Sequence, residues 1–168
     1  AGSRGFRTAS VSRAAIIKIR KFSPSHRRSL KPMKLVIASD HGGFELKKEI
    51  VKFLKDRKIE VVDLGSEGTE SVDYPDYAAR VAEQVSAGKA DAGLLMCGTG
   101  IGMCITANKF KGVRAAVVSD AYTAKMSKQH NNANVLCLGG RVQELALAKE
   151  LVQVWLETPF EGGRHEGR

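Results

Sequence analysis

The hydrophobic pattern changes its period repeatedly between residue 34 and the end of the chain. Short apolar and β-branched runs predict five strands, at residues 35–39, 59–63, 92–97, 113–118 and 134–138. Segments with helical spacing predict helices between and after them, at residues 45–57, 75–87, 101–110, 121–129 and 142–156. In the first helix this spacing turns Phe44, Ile50, Phe53 and Leu54 inward and leaves the lysines facing outward.

The alternation of strands and helices predicts an α/β fold. Parallel strands need a crossover connection, which is usually a helix. The run at residues 92–97 is apolar throughout, as central parallel strands are. We therefore expect a three-layer α/β/α sandwich around a five-stranded, parallel, Rossmann-like sheet. No run approaches the roughly 18 consecutive apolar residues that span a bilayer, so we expect no membrane partner.

The first 32 residues differ in composition from the rest of the 168-residue chain. The formal net charge is +9, and residues 1–33 carry nine lysines and arginines but no acidic residue. The first acidic residue is Asp40, and from residue 34 onward basic and acidic residues balance. The sequence thus predicts a basic tail at residues 1–32 and a single domain at residues 33–168, with Met33 as a natural start.

The tail leaves three interpretations open. An acid-free segment rich in Arg, Ser and Thr is typical of an organellar transit peptide, which would place the protein in a plastid or a mitochondrion. A disordered basic arm or a non-native leader has the same composition, and the expected location is then the cytoplasm. RNA binding would depend on the tail alone. Its aromatic residues, on which bases could stack, are only Phe6 and Phe22, so we expect no nucleic-acid partner.

Glycines cluster where the predicted strands end, which is where open α/β sheets bind ligands. After the third strand, the sequence CGTGIG places Gly98, Gly100 and Gly102 just before a helix, where backbone N–H groups can converge on an anion. The motif lacks both the GxGxxG pattern of dinucleotide sites and the Gly-Lys-Ser/Thr of a P-loop. It favours a small anion or a developing oxyanion, and the plainer alternative is a tight turn between strand and helix.

The three cysteines are sparse and form no CxxC pair, which is typical of free thiols in a reducing compartment. Cys97 stands at the mouth of the glycine loop, where backbone donors favour a thiolate that acts as a nucleophile or as a base. The alternative is an inert, buried thiol. Cys104 and Cys137 fall within a predicted helix and a predicted strand, and for both we expect the inert role.

Further polar candidates follow other predicted elements. His130 ends a helix among polar neighbours and either transfers protons or interacts with the helix dipole. Asp40 precedes a histidine at the end of the first strand, and its alternative role is to cap the next helix. Arg141, Arg164 and Arg168 together form a candidate phosphate clamp, while the plainer interpretation of the last two is a solvated tail.

Seven stretches of the chain resemble the type B ribose-5-phosphate isomerases, a family that also includes galactose-6-phosphate and allose-6-phosphate isomerases. In chain order they are ASDHGG, SVDYPDYA, LMCGTGIGM, TANKF, RAAVV, HNNANVLCLGGR and PFEGGRHEGR. The resemblance covers residues 33–168. It implies an aldose–ketose isomerase of the non-oxidative pentose phosphate pathway that interconverts ribose 5-phosphate and ribulose 5-phosphate through a cis-enediolate, with no metal or other cofactor.

The resemblance also implies a role for each matching residue. Cys97 would move the proton between C2 and C1, and Thr99 would help to stabilise the enediolate. His130 would open the furanose ring, with help from Asp40. The other implied substrate contacts are Gly98, Gly100, Ile101 and Gly102 to the enediolate, Asn131 and Tyr74 to the sugar, and His41, Arg141, Arg164 and Arg168 to the phosphate.

The resemblance further implies a homodimer with active sites shared between subunits, or a tetramer built from such dimers. A second branch of the family has Ser at the position of Cys97 and takes its base from a Glu six residues later. That later position here is Met103, so Cys97 is the base on offer. The alternatives are an isomerase of allose 6-phosphate or galactose 6-phosphate, and a sugar-phosphate binding protein without enzymatic activity.

Overall fold

The computed structural model describes residues 33–168, and the predictions for residues 1–32 lie outside this part of the chain. Its five strands are β1 (Leu35–Ser39), β2 (Val61–Asp63), β3 (Ala92–Cys97), β4 (Ala115–Val117) and β5 (Val135–Gly139). They form one sheet in the order β2-β1-β3-β5-β4, with every neighbouring pair parallel. The predicted five-stranded parallel sheet is confirmed.

Five α-helices cover the two faces of the sheet: α1 (Phe44–Asp56), α2 (Tyr74–Ser86), α3 (Ile101–Ala107), α4 (Ala121–Gln129) and α5 (Leu145–Glu157). On one face α1, α4 and α5 pack around a core that includes Ile37 and Trp155, both fully buried. On the other face α2 and α3 pack over Leu95 of β3, and Met103 of α3 belongs to this second core. The two cores on either side of the sheet make the three-layer sandwich that the sequence predicts. Among the described helices, none has the length and apolar character needed to cross a bilayer.

The two edge strands are shorter than the sequence predicts. β2 and β4 have three residues each, because each has a neighbour on one side only and the pairing soon ends. α3 ends at Ala107, three residues early. There the Asn108 side chain donates to the Ala115 carbonyl at 2.9 Å and accepts from the Ala115 N–H at 2.8 Å. Asn108 thus supplies the outer edge of β4 with the partners that a further strand would give.

One lysine of α1 contradicts the expectation that all of them face outward. The Lys47 side chain is 3% exposed, and its Nζ lies 2.7 Å from the Asp63 carboxylate at the end of β2. It also donates to the Ser66 carbonyl at 2.6 Å. Lys47 is buried because its ammonium group donates hydrogen bonds to the loop after β2. The spacing of apolar residues along a helix cannot predict a polar partner of this kind.

Candidate active site

Loops after β1, β3 and β5 meet at the carboxyl edge of the sheet. The Asp40 N–H donates to the Met96 carbonyl at 3.1 Å, which places the end of β1 beside the end of β3. The Arg141 N–H donates to the Gly98 carbonyl at 3.0 Å, which ties the loop after β5 to the loop after β3. These contacts create one continuous surface at the edge where parallel sheets bind ligands.

The Cys97 thiol lies in the middle of this surface. Cys97 is the last residue of β3 and is buried, and its Sγ accepts the Gly100 N–H at 3.1 Å. Gly100 has φ +80°, a left-handed conformation that suits glycine and turns the chain sharply into α3. The Thr99 hydroxyl oxygen accepts the Ile101 N–H at 3.4 Å. The loop therefore directs one backbone N–H, that of Gly100, toward the Cys97 sulfur just before α3.

Two other glycines let large side chains approach the loop. A Cβ on Gly98 would stand 3.2 Å from Cδ of Arg141, and a Cβ on Gly102 would stand 2.8 Å from the ring of Tyr74. Tyr74 is the first residue of α2 and remains exposed on its outer side. The structure thus brings Tyr74 and Arg141 to the Cys97 loop, although they are distant from it in sequence.

Asp40 and His41 complete this side of the molecule. Asp40 is buried, and its Oδ1 accepts the Gly43 N–H at 3.0 Å, so it caps the 3-10 helix His41–Gly43 as the alternative interpretation expects. The His41 Nδ1 accepts the Val72 N–H at 3.3 Å, which assigns the proton of the neutral ring to Nε2. We call the following set the carboxyl-edge cluster: Asp40, His41, Tyr74, Arg141 and residues 97–102.

The other predicted site residues lie at the opposite, amino edge of the sheet. His130 caps the C-terminus of α4, and this helix returns the chain from the carboxyl edge to the amino edge. The Arg114 Nε, just before β4, donates to the Asn132 carbonyl at 2.8 Å. A cavity of about 720 Å³ opens here. We call the following set the amino-edge cluster: Arg114, His130, Asn131, Arg164, His165 and Arg168, all of which except Arg164 line the cavity.

A histidine pair dominates the amino-edge cluster. The rings of His130 and His165 are stacked with centroids 4.2 Å apart and planes 9° from parallel. One Glu161 oxygen, Oε2, lies 3.7 Å from the His130 Nε2 and 3.8 Å from the His165 Nε2. Burial lowers the pKa of His165, the charges of His130 and Arg164 lower it further, and Glu161 acts in the opposite direction. Within this pair, the uncharged form of His165 is favoured.

The same three side chains form a group that could hold a metal ion, judged by donor distances alone. Donor atoms of His130, Glu161 and His165 lie within 4.8 Å of one another. An imidazole binds a metal through a lone pair in its ring plane, and two stacked, parallel rings direct their lone pairs along separate planes. The donor set is therefore poorly oriented for a shared ion.

The three arginines of the predicted phosphate clamp lie at opposite edges of the sheet within one chain. Arg141 lies at the carboxyl edge beside Gly98, whereas Arg168 lines the cavity at the amino edge. Arg164 also belongs to the amino edge, because its Nε lies 3.4 Å from the His165 Nε2. The reason is topological: α4 and the segment after α5 carry their ends back across the sheet. Within one chain, the predicted site residues thus form two separate clusters.

Sequence reasoning missed three residues of the amino-edge cluster and its surroundings, namely Arg114, Glu161 and His165. Arg114 begins the RAAVV stretch, and the other two lie in the terminal PFEGGRHEGR stretch. Arg114 stands at the start of the predicted fourth strand and so lies at the amino edge, which was an available signal. Glu161 and His165 reach His130 only through the contact of their segment with the end of α4, which no local pattern indicates.

The other residues near the Cys97 loop differ in character. Met103 is fully buried, so no carboxylate is present at that position. Cys137 is buried, which raises its pKa, and this agrees with the inert role expected for it. Cys104 differs from Cys137 in its surroundings: it is half-buried, and a hydrogen bond with Cys137 lowers its pKa to about 7. Its Sγ also donates to the Ala115 carbonyl at 3.3 Å.

Together, the fold, the carboxyl-edge cluster and the amino-edge cluster define an α/β protein suited to acid–base chemistry on a small anionic molecule. A thiol among backbone donors can remove a proton beside a carbonyl, and arginines and histidines at both edges can hold an anionic group. A sequence model described as ribose/galactose isomerase matches residues 35–168. The chain belongs to the ribose/galactose isomerase family.

Relatives in this family include enzymes and solved structures. Ribose-5-phosphate isomerase B of Escherichia coli is 51% identical over 135 residues, which cover 80% of this chain and 91% of the relative. The structure of ribose-5-phosphate isomerase B from Clostridium thermocellum has a TM-score of 0.80 and 54% identity, covering 81% of this chain and 92% of that one. The Mycoplasma genitalium enzyme, solved with bound ribulose-5-phosphate, has a TM-score of 0.78 and 46% identity, covering 81% of this chain and 91% of that one.

Proposed function

We propose that this protein is an aldose–ketose isomerase that interconverts ribose 5-phosphate and ribulose 5-phosphate, a step of the non-oxidative pentose phosphate pathway. The observation that carries the proposal is the Cys97 thiol at the carboxyl end of β3, with the Gly100 N–H 3.1 Å from its sulfur. The relatives named ribose-5-phosphate isomerase B support the choice of a five-carbon sugar phosphate.

Cys97 is the base that carries the proton between C2 and C1. Removing a proton from the carbon beside the carbonyl gives a cis-enediolate, and returning it to the neighbouring carbon completes the isomerisation. The Thr99 hydroxyl and the backbone N–H groups of Gly98 and residues 100–102 stabilise the enediolate oxygens. Such donors act only where charge develops, and the loss of one costs about 10²–10³ in rate. Since the thiolate and these donors supply both functions, the mechanism needs no metal.

The other residues bind and open the sugar. His130 opens the furanose ring as an acid and base, helped by Asp40, while Asn131 and Tyr74 orient the sugar hydroxyls. His41, Arg141, Arg164 and Arg168 hold the phosphate. Because the phosphate is remote from C1 and C2, its binding energy fixes the position of the reacting carbons.

A homodimer would bring the carboxyl-edge cluster of one chain beside the amino-edge cluster of its partner. Each cluster would then be a half-site, completed by the other chain. Ile101 and Ile105 of α3 and Val117 of β4 are large, apolar and exposed. α3 begins at the carboxyl-edge cluster and ends at Ala107, and the next residue, Asn108, lines the amino-edge cavity. A two-fold axis crossing the middle of α3 would place each chain's amino edge beside its partner's carboxyl edge. Each active site then takes Cys97 from one subunit and His130 from the other.

An assay of both sugar sizes tests this function. Ribose 5-phosphate and allose 6-phosphate are supplied separately with EDTA present, and ketose formation is followed with a coupled enzyme. We expect turnover of ribose 5-phosphate at a kcat/KM at least tenfold above that for allose 6-phosphate. The opposite preference would move the protein to six-carbon sugars. Binding of both sugar phosphates without turnover by a folded dimer would contradict the proposed activity and indicate a binding protein.

A further inference from the structure

The contact between His130 and His165 links the predicted ring-opening group to the segment that follows α5. The His130 side chain is about one-third exposed at the end of α4, so its own helix does little to fix its ring. The His165 side chain is 4% exposed and lies flat against it, with ring centroids 4.2 Å apart. The more buried ring therefore determines the plane of the more exposed one.

The backbone delivers His165 to this position. The Glu161 N–H donates to the Gln129 carbonyl at 3.0 Å, which joins the segment after α5 to the last turn of α4. The His165 N–H donates to the Gly162 carbonyl at 3.1 Å within the short 3-10 helix Gly163–His165. These two backbone hydrogen bonds hold the segment in place independently of the ring contact. The position of the His165 ring beside His130 is therefore set by the backbone.

The charges around the pair distinguish the two rings. The Arg164 Nε directs its N–H to the His165 Nε2 at 3.4 Å, and a nitrogen that accepts a hydrogen bond carries no proton. Burial and the charges of Arg164 and Arg168 also lower the pKa of His165. The charged groups facing the pair are Glu161, Arg164, Glu166 and Arg168 from the C-terminal segment and Arg114 from the chain before β4. Glu161, near both rings, is left to pair with His130.

We propose that His165 is a positioning residue for ring opening: by stacking on His130 it holds the proton-transferring imidazole in one plane, and it leaves the Glu161 carboxylate to that imidazole alone. The proposal rests on the isomerase function proposed above. In the step concerned, His130 removes the proton from the O1 hydroxyl, and the imidazolium so formed delivers a proton to the ring oxygen O4. The C1–O4 bond breaks as the C1 carbonyl forms, so charges and atoms balance.

The two sugars allow ring opening to be separated from proton transfer between carbons. Ribose 5-phosphate closes through O4 and must be opened. In ribulose 5-phosphate the carbonyl is at C2 and O5 carries the phosphate, so no furanose ring can form. Exchange of a C1 proton of ribulose 5-phosphate with D₂O therefore requires Cys97 but no ring opening. This exchange, followed by NMR, is a readout that a general loss of structure would lower together with isomerisation.

The test compares His165→Ala with His165→Phe, which keeps a flat ring for the stack. We expect His165→Ala to lower kcat for ribose 5-phosphate by about 10–100-fold, within the range of general acid–base contributions, while C1 exchange stays within about threefold of wild type. His165→Phe should recover most of the isomerisation rate. His130→Ala, the reference for lost ring opening, should give the same pattern as His165→Ala in a stronger form.

Other outcomes separate the failure of this proposal from that of the function. Unchanged isomerisation in His165→Ala would overturn the positioning role, and so would equal loss of isomerisation and exchange, or no recovery in His165→Phe. If His165→Ala does not fold, His165→Phe and His165→Asn decide, since only the former keeps a ring to stack. A wild-type protein with neither isomerisation nor exchange would instead contradict the proposed function.

Discussion

Within residues 33–168, the Cys97 sulfur is held by a backbone N–H and not by an acidic or basic side chain. It accepts the Gly100 N–H at 3.1 Å, and the left-handed conformation of Gly100 is what turns that N–H toward it. Six residues further along the chain, Met103 is buried and has no proton-accepting group. At the residue scale, the proposed proton transfer between C2 and C1 therefore depends on the Cys97 sulfur.

Replacing that atom tests its role. Cys97→Ser keeps the size of the side chain but exchanges a thiol for a hydroxyl, which is deprotonated far less readily. We expect kcat to fall by about 10²–10⁴, the usual contribution of a general base, with little change in KM or thermal stability. Cys104→Ser, in the next helix, is the matched control and should stay near wild type. A Cys97→Ser variant with more than about a tenth of wild-type turnover would remove Cys97 as the base.

His165 predicts how acid affects the folded protein. Its pKa is lowered in the folded state, so below the unfolded value of about 6.5 the unfolded chain binds the proton more readily. Stability is therefore retained above that pH and falls as the pH drops below it. The melting temperature should decrease from pH 7.5 to 5.5 by less in His165→Phe than in wild type. Equal decreases in the two proteins would show that His165 does not contribute to this sensitivity.

At the scale of elements, the loop after β2 depends on a helix that precedes β2. The Lys47 ammonium of α1 binds Asp63 and the Ser66 carbonyl. The Ser66 N–H in turn donates to the Ser39 carbonyl at 2.9 Å, at the residue just before Asp40. α1 thereby supports the strand end that carries part of the carboxyl-edge cluster.

Lys47→Met should reveal how much this support contributes. The change leaves the Ser66 carbonyl and part of Asp63 without a donor, which we expect to lower the free energy of unfolding by about 1–3 kcal/mol in urea titrations. Lys48→Met, one residue along the same helix, removes an exposed pair with Glu45 and a contact with the Phe44 ring, and should change this free energy by less than about 0.5 kcal/mol. Equal effects of the two substitutions would show that the buried contact adds no stability.

The elements differ in how well the sequence predicts them. β3 and β1 match their predicted bounds, because central strands are apolar throughout and glycines or polar residues end them. Edge strands are less distinct, since half of their pairing positions face no neighbour, and β2 and β4 were predicted too long. The burial of Lys47 follows from a partner sixteen residues away and not from its helical position.

The residues of the carboxyl-edge cluster follow strands directly, so the rule for open sheets locates them. His130, Arg164 and Arg168 follow helices, and the structure places them at the other edge of the sheet. The end of α4 should have indicated this, because a helix between parallel strands ends at the edge where the next strand begins. Sites shared between subunits were expected from the family resemblance and not from any pattern in the residues. How a second copy packs is not encoded in any local pattern.

At the scale of the whole molecule, an exposed apolar face connects the two half-sites. Ile105 is a large residue on this face and makes no contact proposed for substrate. Ile105→Glu would place a charge in the proposed interface, so we expect monomers in light-scattering measurements and a loss of activity of at least about tenfold. Val62→Glu changes an equally exposed apolar residue on β2, at the far edge of the sheet, and should leave an active dimer. A fully active, dimeric Ile105→Glu variant would place the interface elsewhere.

Mixing two inactive variants tests the shared isomerase site most directly. In a mixed dimer of Cys97→Ser and His130→Ala, one site contains both substitutions and the other contains neither. If subunits exchange at random, half of the dimers are mixed and half of their sites are intact, so about a quarter of wild-type turnover of ribose 5-phosphate should return. No recovery after demonstrated subunit exchange would contradict the account, because sites contained within one chain would each keep one substitution.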